Sequence, residues 1–366
     1  MIKNKPANKQ YNRIKLIISS TSLILDLTLW VAILFFLSTP LAKMAYRIAD
    51  NPLIQFYIFS GLIAAGFSLI HFPISFYSGY LLEHRFSLSN QTLSGWLIEK
   101  LKALAVSLPL GLIILTVFYF LLWQYPRIWW LGTWLFILFF SILLTRLAPL
   151  LLFPIFYKFK PLENESLKER IHKFANQWKI PIAGVYQFDL SKNTKKANAA
   201  FTGLGKSRRI ILGDTLLDNF SEAEIETVFA HEVGHYYYRH LVKGILISSL
   251  ISLTGLFLVF HIYQFYLLSS QYASHQLEAI PLLALLMVVY GFISGPLGNM
   301  VSRKFEYQAD QFAVTSTNGQ EYFKNSLKKL SELNLADEKP HPLVEFLFYS
   351  HPSIQKRINK ISEVNQ

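Results

Sequence analysis

Cysteine is absent from this chain of 366 residues, which excludes disulfides and thiolate metal sites, so a metal can be held only by histidine and carboxylate. Charge is scarce as well. Only 16% of residues are charged, against about 25% in an ordinary soluble domain. Acid is scarcer than base, 23 residues against 35, for a formal net charge of +12. A basic chain can seek nucleic acid, but these lysines and arginines gather beside apolar runs. They read as topology signals facing anionic lipid, and no nucleic-acid partner is expected. What the chain has in quantity is apolar surface: 52% hydrophobic residues and 15% aromatic ones. That balance belongs to a membrane protein.

Crossing the hydrocarbon takes about 20 apolar residues in a helix. Stretches at 16–38, 53–81, 103–123, 128–151, 241–268 and 280–301 qualify. Trp129, Trp130 and Trp134 are expected to flank a span at the bilayer boundary. The first run is too long for a signal-peptide core and no Ala-x-Ala site follows it, so it reads as a retained anchor. The expected fold is a polytopic α-helical membrane protein of about six spans with an α+β domain beside them. Residues 1–155 form an N-terminal membrane domain with four spans. Residues 156–366 form a second domain that includes the last two, its polar segments 156–240 and 302–366 packing together. Basic residues cluster before the first span and after the second, fourth and sixth, while the loop at 269–279 has none. By the positive-inside rule both termini and both polar segments are cytosolic.

In the first polar segment, 163–178 has helical periodicity, "GVYQFDL" and "RRIILGDTLL" read as strands, and "NAAFTGLG" as a strand entering a glycine turn. Next, "SEAEIETVFAHEVGHYYYRH" opens with Ser221 and Glu224 in capping-box spacing. On that helix His231 and His235 share a face, as two imidazoles on one metal must. Glu232, one residue along, points beside the metal, where a general base for water belongs. The alternative is a helix with two solvated or packed histidines. A third ligand would come from "SRKFEYQADQFA", where Glu306 and Asp310 are again four apart: Glu306 to complete a His2Glu site, Asp310 to orient a ligand histidine. Taken alone, those two acids could equally be a solvated helix face.

Several blocks together resemble the type 1 CAAX prenyl protease family, integral-membrane zinc endopeptidases, over about residues 74–358. They are "LLEHRFSLSNQTLSGWLIEKLK", "LAPLLLFPIFYKFKPLENESL", "NAAFTGLGKSRRIILGDTLL", "FAHEVGHYYYRH", "FEYQAD" and "YSHPSIQKRI". The resemblance implies one zinc per chain on His231, His235 and Glu306, with Glu232 as base and Asp310 as the acid behind the ligands, a proton donor. It makes His351 a donor to the tetrahedral oxyanion and Arg357 its partner. From the residues alone His351 would be a surface side chain. Asn198, Ala199 and Ala200 match the edge strand that pairs with the substrate backbone. The family's spans are expected to enclose a water-filled chamber, towards which Asp26 and His71 could point; packing pairs would explain both equally well.

Two departures bear on this reading. Eukaryotic members carry a further N-terminal span, giving seven, against six here. Lys196 stands where a histidine is frequent, and Ala200 where an aromatic is frequent. The expected activity is hydrolysis of peptide bonds in membrane-associated or prenylated C-terminal peptides, in a prokaryotic cell membrane with membrane lipid as neighbour. The nearest alternative is quality control of misfolded membrane or stalled secretory proteins. A transporter or scaffold with structural zinc would leave Glu232 without a purpose. A site-2-type intramembrane protease is disfavoured because HEVGH precedes its apolar run.

Overall fold

A computed structural model describes residues 5–202 and 209–363. Six helices among them are long and apolar enough to cross a membrane: Ala7–Ile48, Pro52–Arg85, Leu93–Gln124, Trp129–Phe156, His240–Ser270 and Ile280–Thr317. Each covers one of the apolar windows expected from sequence, the fourth to within one residue, and overruns it. The window measures hydrocarbon thickness, whereas backbone hydrogen bonding carries the helix on into the polar domain. The overrun matters most in the sixth span, whose last three turns are buried in that domain and carry Glu306 and Asp310.

Each span packs on its two neighbours in turn, and the sixth returns to the first, so the six close a ring. At its centre lies a cavity of about 470 Å³ with an almost wholly apolar wall. Trp30, Phe67, Phe118, Trp129, Leu256 and Met287 line it, one from each span. The tightly packed residues of the ring, such as Phe56, Tyr119, Tyr263 and Leu283, lie towards the end that carries the 271–279 loop. The polar domain caps the other end.

Two sequence expectations are corrected here. Trp129 is not an interfacial anchor: it is 1% exposed, packed edge-on against Phe118 and Tyr263. Trp134 turns its indole N–H to the Ser249 carbonyl at 2.9 Å. A ring of helices has an inside, and aromatics at helix ends can fill it. Among the described residues of "RRIILGDTLL", Arg209–Gly213 is strand, and the chain then turns into the helix Asp214–Asn219. The Asp214 carboxylate accepts from the Ser191 and Thr215 backbone N–H groups, fixing that turn. Asp26 and His71 face each other across the first two spans at 2.8 Å, off the line of a well-formed hydrogen bond.

The polar domain is built on a four-stranded sheet in the order β1-β2-β4-β3, with β1 at Phe159–Pro161, β2 at Gly184–Phe188, β3 at Ala199–Thr202 and β4 at Arg209–Gly213. β2 and β4 are parallel and the outer pairings antiparallel. β3 is therefore an edge. The glycine turn expected after it lies outside the described residues. The helix Glu165–Gln177 covers the sheet with Leu167, Ile171 and Phe174, all in one core with Phe229, Val233, Phe312 and Phe323. That core joins the two polar segments into one body, as their lengths required.

Candidate metal centre

The helix Glu222–Tyr237 begins with the capping box read from sequence. The Ser221 hydroxyl accepts from the Glu224 N–H, and the Glu224 carboxylate accepts from the Ser221 N–H at 2.8 Å. Lys329 holds the same carboxylate at 2.7 Å. So fixed, the helix lies against the end of the sixth span, and Gly234 makes the approach possible. A Cβ there would stand 3.0 Å from Cα of Ala309 and 3.2 Å from its carbonyl oxygen. The close crossing sets His231 and His235 opposite Glu306 and Asp310.

The two Nε2 atoms of His231 and His235 are 3.2 Å apart, and Glu306 brings Oε2 to 3.4 Å from the first and Oε1 to 3.3 Å from the second. Two ligands on a tetrahedral zinc at about 2.0–2.1 Å stand about 3.3 Å from each other, so the spacing fits that ion. Among the described residues Glu306 Oε2 is buried with no hydrogen-bond donor. Two imidazole lone pairs and an unpartnered carboxylate oxygen facing one point call for a cation. The residues present therefore fit a metal. Burial opposes charge on His231, but Asp310 and Glu306 outweigh it and push the imidazole up to about 9. The cluster is built to hold positive charge.

Both histidines are held from behind. His231 Nδ1 lies 2.9 Å from Asp310 Oδ1, obliquely, and Arg357 grips Asp310 with Nε at 2.8 Å and Nη2 at 2.5 Å. Arg357 is buried and also stands 3.7 Å from Glu306. Its hydrogen-bonded partner is thus Asp310. His235 has a support that sequence reasoning missed. With its Nε2 turned to the metal position, Nδ1 carries the proton and donates to His240 Nδ1 at 3.0 Å. His240 then carries its own proton on Nε2 and donates to Gln308 Oε1 at 2.9 Å. Arg239, in the left-handed conformation at φ 55°, breaks the helix and swings His240 inward, where Phe305 stacks on it. The third histidine of "HEVGHYYYRH" was a visible signal, but neither the left-handed turn nor Gln308 could be read from it.

In front of the ligands opens a cleft of about 400 Å³ whose wall includes Asn198, Ala199, Glu232 and His351. Burial raises the Glu232 carboxyl, with the two histidines opposing and Glu306 adding to the effect. A raised carboxyl at this position suits proton transfer. His351 is 63% exposed, yet its Nε2 reaches to 3.4 Å from Glu306 Oε1, and Ser350 bonds its Nδ1 at 2.9 Å. Asn198 and Ala199 face the cleft on the free edge of the sheet. Ala200 packs on the opposite face with Phe188, Leu190 and Ile211. Lys196 does not reach the cleft: its ammonium lies 2.9 Å from Glu83.

The sequence model of Peptidase family M48 matches residues 161–365, more than half of the chain. The chain belongs to peptidase family M48. The model described as CAAX prenyl protease N-terminal, five membrane helices, matches residues 5–158, where this M48 member has four spans. An uncharacterized metalloprotease, YhfN of Bacillus subtilis, is 33% identical over 80% of this chain and 69% of its own. CAAX prenyl protease 1 of Saccharomyces cerevisiae is 29% identical over 84% of this chain and 72% of its own. The crystal structure of S. mikatae Ste24p superposes with a TM-score of 0.86 at 27% identity, covering 97% of this chain and 88% of that one. The M48 protein is therefore a multi-pass membrane metalloprotease of the CAAX prenyl protease type, and peptide or protein chains are its substrates.

Proposed function

We propose that this M48 protease holds one zinc per chain on His231, His235 and Glu306, and cleaves C-terminal peptides of membrane-associated proteins at the cytosolic face of a prokaryotic inner membrane. One observation carries the reading: a His2Glu cluster with zinc spacing, a raised carboxyl beside it and a free strand edge share one cleft. Zinc in such a site supplies Lewis acidity towards the scissile carbonyl and makes water a nucleophile at neutral pH. The chain's own residues do the rest. The edge at Asn198 and Ala199 adds the substrate as a further strand, holding its backbone in register. Glu232 takes a proton from the attacking water and returns it to the leaving amide nitrogen. The exposed imidazole of His351 donates to the carbonyl oxygen as negative charge gathers there. Asp310, kept ionised by Arg357, holds the His231 ring in place.

Strand pairing reads backbone more than side chains, and this favours a second reading, quality control of misfolded membrane or secretory chains. The two separate by comparing one peptide sequence with and without a prenyl group on the purified protein in detergent. A prenyl requirement supports C-terminal processing of prenylated proteins, as the name of the yeast relative has it; equal cleavage of both peptides supports quality control.

A further inference from the structure

The carboxylate of Glu83, at the end of the second span, is the meeting point of three chain segments. Tyr11 donates its hydroxyl at 2.6 Å, Lys15 stands at 2.9 Å, and Lys196 reaches the other oxygen at 2.9 Å. Lys196 also donates to the Tyr11 hydroxyl at 3.1 Å. The first two belong to the N-terminal helix, and Lys196 lies two residues before Asn198 on the approach to β3. Glu83 keeps only 12% of its side chain exposed, so each cation contact is worth more than one on an open surface.

The loop at 86–92 that follows the second span grips the strand's approach through its backbone. Ser89 bridges antiparallel to Thr194, and the Leu88 carbonyl accepts from the Lys195 N–H at 2.9 Å and the Thr194 hydroxyl at 2.9 Å. Asn90 donates to the Ser191 carbonyl at 2.9 Å. From the other side Asn334 accepts from the Ala197 N–H at 3.1 Å, and Asn12 of the N-terminal helix donates to the neighbouring Leu335 carbonyl at 2.7 Å. Residues 191–197 thus leave the membrane helices tied on both flanks, and the chain that emerges is the free edge facing the cleft.

We propose that Glu83 is a positioning residue for substrate binding: through Lys196 it makes the ends of the first two spans set the place of the substrate-pairing edge. This rests on the reading that the peptide pairs with β3. A short edge strand tied on one side to β4 keeps its outer hydrogen-bonding groups aligned only if its entry is fixed. It also explains a lysine at 196, where a residue aimed at the substrate would instead line the cleft.

The test uses the full-length protein with zinc content, Tm, kcat and KM measured for Glu83→Gln, Lys196→Met and Lys196→Arg. Wild type is also assayed with a peptide whose strand-pairing amides are replaced by esters. The expected result is a KM raised roughly tenfold in the first two variants, about the effect of one lost hydrogen bond. Zinc and kcat stay near wild type while Tm falls by only a few degrees, Lys196→Arg recovers the low KM, and the ester peptide binds weakly. If the ester peptide is weakened but the variants keep the wild-type KM, the positioning role is overturned and strand pairing stands. If the ester peptide binds as well as the amide, the strand reading itself falls and takes this inference with it. Zinc, Tm and kcat falling together in both variants would make Glu83 a folding residue, which also overturns the proposal.

Discussion

Gly234 rests on Ala309: a Cβ at 234 would stand 3.0 Å from the Ala309 Cα, so the glycine of HEVGH sets the distance between the two helices that carry the metal-binding side chains. A larger residue must push those helices apart. Gly234→Val is expected to destabilise the protein by ~1–3 kcal/mol, the usual cost of overpacking a close contact. Because the shift separates His231 and His235 from Glu306, zinc content should fall with it. A variant that folds with full zinc would show that the helices tolerate a wider crossing.

Gln308 is two residues past Glu306 on the same helix, so it points off the ligand face, and it reaches the site through its bond to His240. Gln308→Leu leaves His240 Nε2 without its acceptor, freeing the ring that orients His235. Zinc affinity, measured by competition with a chelator, should drop by up to about 10–100-fold, the effect of losing the partner behind a ligand histidine, because Gln308 acts one bond further out through His240. Gln308→Glu, which keeps an acceptor, should restore most of it. Unchanged affinity in the leucine variant would disconnect this chain of bonds from the metal.

His351 reaches Glu306 from an exposed position, and its hydrogen bond is to Ser350 in its own loop. His351→Ala should leave zinc content and Tm unchanged while slowing turnover roughly a hundredfold or more, as removal of one oxyanion donor does. Wild-type turnover would take His351 out of the mechanism.

Much of this was legible in the residues, and the parts that were not share a cause. The six spans follow from apolar windows longer than the hydrocarbon is thick, and the start of the HEVGH helix from the spacing of Ser221 and Glu224. Periodicity and spacing are local properties of the chain. Trp129 was misplaced because an aromatic at a helix end looks the same whether it faces lipid headgroups or the inside of a ring. β1 has three residues, too short for a period to register. The His240–Gln308 bond and the Glu83–Lys196 pair join residues 68 and 113 positions apart. Only the crossing of the helices brings such partners together.

Orientation can be read chemically because the chain has no cysteine of its own. Single cysteines at Ser191, Asn359 and Ser270 are treated in intact cells with a thiol reagent that cannot cross membranes. With the polar domain in the cytosol, only the variant at Ser270 reacts before lysis, and all three react after it. Labelling at Ser191 from outside would place the cleft away from the cytosol.

The central claim is that Glu232 moves the proton while His231, His235 and Glu306 hold the metal. Glu232→Gln keeps the size of the side chain and removes the base. Zinc content and peptide cleavage measured on this one purified variant test the claim most directly. One zinc per chain with cleavage reduced by about 10²-fold or more is the predicted result. Cleavage near the wild-type rate, or zinc lost along with activity, would contradict it.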